Sequence, residues 1–90
     1  MNTLEIVHLR SSGESLESLS DRIRESIWEE GNGTEVVTLF RRQGLETDVA
    51  IHIRNHKEQG EIEPSALAFN LANSLRAFGL VEHSMWEELT

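Results

Sequence analysis

Three histidines, His8, His52 and His83, stand in apolar-rich stretches of this chain. An imidazole changes charge near neutral pH and binds metals through an unprotonated ring nitrogen. Three of them in a row across a sheet would make an acid–base or metal site. That needs all three on one face, and a one-residue shift of register turns a side chain to the other face. No HxH or HExxH pairing fixes such a geometry. His52 is the best single catalytic candidate, because the alternation around it is the cleanest. The plain reading of His8 and His83 is half-buried strand residues, and His56 falls in a polar loop.

The remaining polar groups weigh less. Arg41 or Arg42 with Arg54 would clamp a carboxylate or phosphate if they met. A hairpin between their strands instead sets Arg54 near Glu35 or Val37, where a cross-strand ion pair is the plainer expectation. Glu29-Glu30, Glu58/Glu61/Glu63 and Glu87-Glu88 read as solvated surface, without EF-hand spacing. There is no Walker loop, GxGxxG or GxSxG. Neither a metal nor a cofactor is expected. Trp28, Phe69 and Trp86 lie off the core-facing positions, and aromatics so placed favour an interface.

Elements must position these groups, and six are legible. Residues 3–10 read as a strand, and Ser11, Ser12 or Ser15 can cap the helix that follows. Leu16, Leu19, Ile23 and Ile27 fall within roughly 80° of arc on that helix. Gly31 is expected to end it as a left-handed residue. Residues 35–42 and 48–55 read as strands joined by a short loop that contains Gly44. In the second of them Val49, Ile51 and Ile53 face a core, while Ala50, His52 and Arg54 point away. Pro64 marks the start of a second helix. Leu67, Ala68, Leu71, Ala72, Leu75 and Phe78 give that helix a broad apolar face, and Gly79 closes it. Residues 80–89 read as a fourth strand, with a continued helix as the competing reading.

The predicted fold is therefore α+β: a ferredoxin-like βαββαβ domain over residues 1–90, with two helices on one face of a four-stranded antiparallel sheet. The other face is left open. Its residues include apolar ones, and a partly apolar open face is usually covered by another surface. A homodimer through it is expected.

Bulk composition narrows the partners. The formal charge is −8, with sixteen acids against seven arginines and Lys57. Nucleic-acid binding asks for the opposite sign. The absence of cysteine removes disulfides, thiolate zinc sites and cysteine nucleophiles. No basic and then apolar leader follows Met1, and the longest apolar run, residues 66–69, is far short of the roughly 20 residues of a membrane span. A cytoplasmic protein with no membrane partner is expected.

The element order, the length and the mixed open face resemble the dimeric α+β barrel superfamily, which includes antibiotic-biosynthesis-type monooxygenases and stress-responsive barrel proteins. The run Leu75-Arg76-Ala77-Phe78-Gly79-Leu80-Val81-Glu82-His83-Ser84-Met85-Trp86, a helix end leading into a last strand, carries the likeness most closely. The resemblance implies two ferredoxin-like subunits that pair their sheets around a cavity. It carries no residue roles onto this chain. The leading reading is a small homodimer whose open faces form the interface or a shared cavity. The alternative is a monooxygenase-like enzyme or binder of a small hydrophobic molecule, its pocket lined by His52, Phe40 and Trp86 with His83 and His8. A regulatory ligand-binding module of ACT or Lrp type shares the same order, and fold alone does not choose among the three.

Overall fold

The computed structural model describes residues 2–13, 16–31, 33, 35–44, 47–56 and 65–89. Strand β1 (Asn2–Ser11) leads to helix α1 (Leu16–Glu30), then to strands β2 (Val36–Arg41) and β3 (Asp48–His56). Helix α2 (Ala66–Leu75) follows, extended by a 3-10 turn over Arg76–Phe78, and β4 (Gly79–Glu87) ends the order. The four strands form one antiparallel sheet in the order β2-β3-β1-β4. The strand reading of the last element therefore holds, and its glycine is already part of the strand. β3 runs on through His56, the residue expected to open a polar loop, and residues 57–64 of that expected loop lie outside the described residues. Among the described residues no helix is long and apolar enough to cross a membrane.

One face of the sheet packs on the helices. Val7 and Leu9 of β1 and Val49, Ile51 and Ile53 of β3 meet Leu19 and Ile23 of α1 and Leu67, Ala68, Leu71, Ala72 and Leu75 of α2. The residues from α1, α2 and β3 are positions that the helical spacing and the β3 alternation single out; Val7 and Leu9 of β1 are not. Ile27 and Phe78 pack at the margin, and Arg22 stacks over the Phe78 ring at 4.8 Å.

The ends of the helices differ in part from expectation. The cap of α2 is Ser65, whose hydroxyl accepts from Ala68 N at 3.1 Å; Pro64 lies outside the described residues. Gly31 is not left-handed: its N–H reaches back to Ile27 O at 3.0 Å and continues the helical pattern. Ser11 and Ser12 do other work. The Ser11 hydroxyl accepts from Gly13 N, and the Ser12 hydroxyl donates to Phe78 O. Ser15, the other candidate cap, lies outside the described residues.

Gly79 fixes how β4 meets β1. It pairs with Ser11 at a φ of +157°. A Cβ there would run into the Arg10 carbonyl oxygen and stand 2.9 Å from the Arg10 carbonyl carbon. Only a residue without a side chain fits.

Candidate functional site

The uncovered face is assembled from the even-numbered residues of all four strands. The cross-strand register sets Val36, Arg54, Leu4 and Trp86 in one row, Thr38, His52, Ile6 and Ser84 in the next, and Phe40, Ala50, His8 and Glu82 in a third. Asp48, Arg10 and Leu80 begin a fourth. Apolar and polar groups thus alternate across a surface that no helix covers. Val36, Phe40, Leu80 and Trp86 are exposed on it.

A concavity of about 580 Å³ reaches from the second row to the fourth, lined among others by Ile6, His8, Phe40, Asp48, Ala50 and Ser84. Asp48 is its anchor. Its side chain is only 6% exposed, although it belongs to the open face. Three cationic or imidazole groups bury it. His8 Nε2 lies 3.3 Å from Asp48 Oδ2, Arg42 Nη1 3.5 Å and Arg10 Nε 3.8 Å. A buried carboxylate is tolerated where donors surround it. The two arginines remain more than half exposed, so Asp48 is the desolvated member of the cluster.

This arrangement orients His8. With the Nε2 proton given to Asp48, Nδ1 is the nitrogen left with a lone pair. A base whose second nitrogen is held by a carboxylate is the arrangement used for proton abstraction. The Glu82 carboxylate stands 4.0 Å from Nδ1 and is itself well exposed.

His52 is set differently. Its ring lies against Phe40, with centroids 4.5 Å apart at a 53° tilt. Burial first, and then the Arg54 guanidinium two residues on, lowers its pKa from the usual 6.5. The neutral imidazole is thereby favoured. His8 and His52 lie diagonally across neighbouring strands on one face.

The other candidates scatter. Phe40 lines the concavity, whereas Trp86 lies in the row beyond it, beside Leu4 and Arg54, its indole N–H donating to Ser84 Oγ at 2.9 Å. His83 is on the opposite side of the sheet. Its register partner is Val7, a core residue, so its ring is on the side of the helices, although the residue also borders the concavity. A row of three histidines does not form, because odd and even positions face opposite ways. Arg54 stands opposite Val36, remote from Arg41 as the hairpin geometry requires. Among the described residues no three His, Asp or Glu side chains gather in a group able to hold a metal ion.

Two buried acids escaped the sequence reading. Asp48 reads in the sequence only as the first residue of the third strand, with no role assigned. Glu5 reads only as part of the first strand, and it is fully buried on the helix side. Its Oε1 accepts from Ser65 N at 2.9 Å and lies 3.4 Å from His83 Nε2. The latter is an ion-pair distance without hydrogen-bond alignment: Glu5 Oε2 and His83 Nε2 are both buried and have no hydrogen-bond partner among the described residues. No sequence signal marked Glu5, since β1 carries apolar residues in both phases.

No family model matches the chain. No curated protein matches it in sequence. Among solved structures it is similar to SnoaB, a cofactor-independent oxygenase from Streptomyces nogalater crystallised as a single-site mutant. The TM-score is 0.65 at 16% identity, over 99% of this chain and 94% of the other. Identity that low speaks to architecture. The chain therefore shares with SnoaB the ferredoxin-like βαββαβ fold, the one from which dimeric α+β barrels are built.

Proposed function

We propose that the protein acts as a homodimer whose open sheet faces meet and enclose a cavity for a small hydrophobic molecule, held beside His8 and Asp48. The carrying observation is the His8–Asp48 pair at 3.3 Å inside a concavity that also presents Phe40, Ile6 and Ala50. A contact surface for a second copy alone does not call for a buried carboxylate that orients an imidazole. Pockets for small molecules combine apolar walls with a few placed polar groups, and this face has both.

The dimer follows from the surface. Four strands about 4.8 Å apart, six to ten residues long, present a face of roughly 20 by 30 Å at most, the scale of a standard interface. Exposed Val36, Phe40, Leu80 and Trp86 would leave water on pairing. His52, neutral at physiological pH, suits such a setting, because a charged imidazole would resist further burial.

The same pair of residues favours catalysis as the second reading. A cofactor-independent reaction draws its acid–base steps from side chains, and His8 is the one here held for a proton transfer. Its partner Asp48 is the positioning residue.

Light scattering at micromolar concentration, together with titration by 1-naphthol followed through the histidine ring signals, tests the proposal. A dimer that Phe40→Asp dissociates, with saturable shifts at His8 that are lost in His8→Ala, is the expected result. A monomer, or a dimer indifferent to Phe40→Asp, would sink the sheet-to-sheet assembly. Unresponsive histidines would remove the cavity.

A further inference from the structure

The fourth row of the open face holds more positive charge than its one carboxylate can compensate. Arg42 directly follows β2, and its main-chain N–H donates to Asp48 O at 3.0 Å, which extends the pairing of β2 with β3 by one residue. The row therefore runs Arg42, Asp48, Arg10, Leu80. Asp48 stands between two guanidiniums, with Arg42 Nη1 at 3.5 Å and Arg10 Nε at 3.8 Å from the same Oδ2. That oxygen also faces His8. Two guanidiniums carry about ten N–H donors, against about four lone-pair sites on a carboxylate. Most of the donors are left over, on side chains more than half exposed. Among the described residues no second carboxylate comes within 4.0 Å of either guanidinium.

We infer that Arg42 makes the cavity a site for an organic acid, an apolar aromatic molecule that carries one carboxylate. This rests on the reading of the open face as a ligand cavity and narrows the ligand. Arg42 lines the concavity itself, whereas Arg10 lines a smaller one beside Leu80 and Glu82. The planar fork of a guanidinium matches a carboxylate through two parallel hydrogen bonds. One charge in excess suits a monoanion better than a phosphate dianion. Glu82, the other carboxylate among the described lining residues, belongs to β4, three strands from Arg42 in the sheet order. At about 4.8 Å per strand it leaves the Arg42 end clear for an anion. Phe40 lies two residues before Arg42 on the same face, and Ala50 and Ile6 continue the apolar wall. His8 sets the rest of the molecule. Arg42 Nη1 and His8 Nε2 both lie within 3.5 Å of Asp48 Oδ2, so they are at most about 7 Å apart. A group two or three bonds from the carboxylate reaches the imidazole. An aromatic acid with a hydroxyl ortho to its carboxylate meets both ends, with its ring on Phe40.

Calorimetric titration of the full chain with 1-hydroxy-2-naphthoate, and with 1-naphthol, which lacks only the carboxylate, tests this. The His8 ring signals locate the ligand. The acid should bind about tenfold or more tightly than naphthol at low salt, the gain expected for a hydrogen bond between charged groups. Added salt should shrink that advantage. Arg42→Gln should abolish it while naphthol still binds, which also shows that the variant is folded. Arg42→Lys should recover part of it. Arg24→Gln, which removes the same charge from α1, should leave it intact. Equal affinity for the two ligands would overturn the inference, as would an advantage that survives Arg42→Gln, or 1-naphthyl phosphate binding more tightly than the acid. Failure of every ligand to bind would remove the cavity itself; naphthol binding without a preference for the acid would remove only the organic-acid reading.

Discussion

Replacing Gly79 by alanine tests how β4 is held, and β4 borders the candidate site. Two costs follow from the structure. The first is conformational: at a φ of +157° an L side chain is strained, at about 1–3 kcal/mol for a residue in so sparsely populated a region. The second is steric. The added Cβ overlaps the Arg10 carbonyl oxygen and stands 3.0 Å from Ser11 Cα. These are backbone atoms and cannot swing aside, so the strands must part. The first bonds to weaken are those to Phe78 O, from Ser12 N at 2.8 Å and from Ser12 Oγ at 3.1 Å. At about 0.5–1.5 kcal/mol for each hydrogen bond, the two effects together cost about 2–6 kcal/mol. A domain of this length holds about 5–13 kcal/mol in all. Gly44→Ala is the control: its φ is +85° and, among the described residues, nothing lies within 4 Å of the added Cβ, so the conformational cost of about 1–2 kcal/mol applies. Urea denaturation of the wild type and both variants measures the difference. A loss at Gly79 no larger than that at Gly44 would refute the steric argument.

Two further outcomes follow from the open face. The pKa of His52 is lowered when folded, so between that value and 6.5 the unfolded chain binds more protons, and stability is lost as pH falls through this window. The gap in urea midpoint between wild type and His52→Gln should move against the wild type on acidification below about 6.5; a gap that is flat or moves the other way would show that His52 is not desolvated. Asp48→Asn should cost on the order of 1–2 kcal/mol in the same assay, since one buried acceptor is weakened while Arg10 and Arg42 stay solvated. It should also free the His8 ring, seen as averaging of its NMR signals; a ring as ordered as in the wild type would mean that Asp48 does not position it.

The sequence carried the helices well because their signals are redundant. In α2 five buried residues repeat at helical spacing, and any one could be misread without changing the face. In β3 the alternation of Val49, Ile51 and Ile53 with Ala50, His52 and Arg54 is in one phase only, so the face of His52 was readable. β1 and β4 are ambiguous for the opposite reason. Leu4 and Ile6 are apolar in one phase, Val7 and Leu9 in the other; Leu80 and Trp86 oppose Val81 and Met85. Periodicity cannot choose between two apolar phases. Pairing does: Val7 lies opposite Ile51 and Leu9 opposite Val49, which turns Val7 and Leu9 inward and draws Glu5 in with them. Gly31 was misplaced because a glycine after a helix suggests a left-handed residue, whereas here Gly33 takes the positive φ instead.

That ambiguity is also what lets two strands serve both faces. Along β1, Glu5 and Val7 face the helices while Ile6 and His8 face outward; along β4, His83 faces inward and Glu82 outward. An acid–imidazole pair stands on each side: His8 with Asp48 on the open face, His83 with Glu5 on the covered one. A slip of β1 by one residue would exchange them, placing His8 in the core and Glu5 in water. The apolar residues would resist this little, since either phase offers the core two of them. The polar contacts and Gly79 resist it more. Ser65 N holds Glu5 on the covered side, Asp48 holds His8 on the other, and at the far end of the pairing only Gly79 can lie against the Arg10 carbonyl. A slipped register would bring Leu80 or Phe78 to that carbonyl, and both carry the Cβ that the contact excludes. The glycine that reads in the sequence as a helix stop thus sets which imidazole faces which surface.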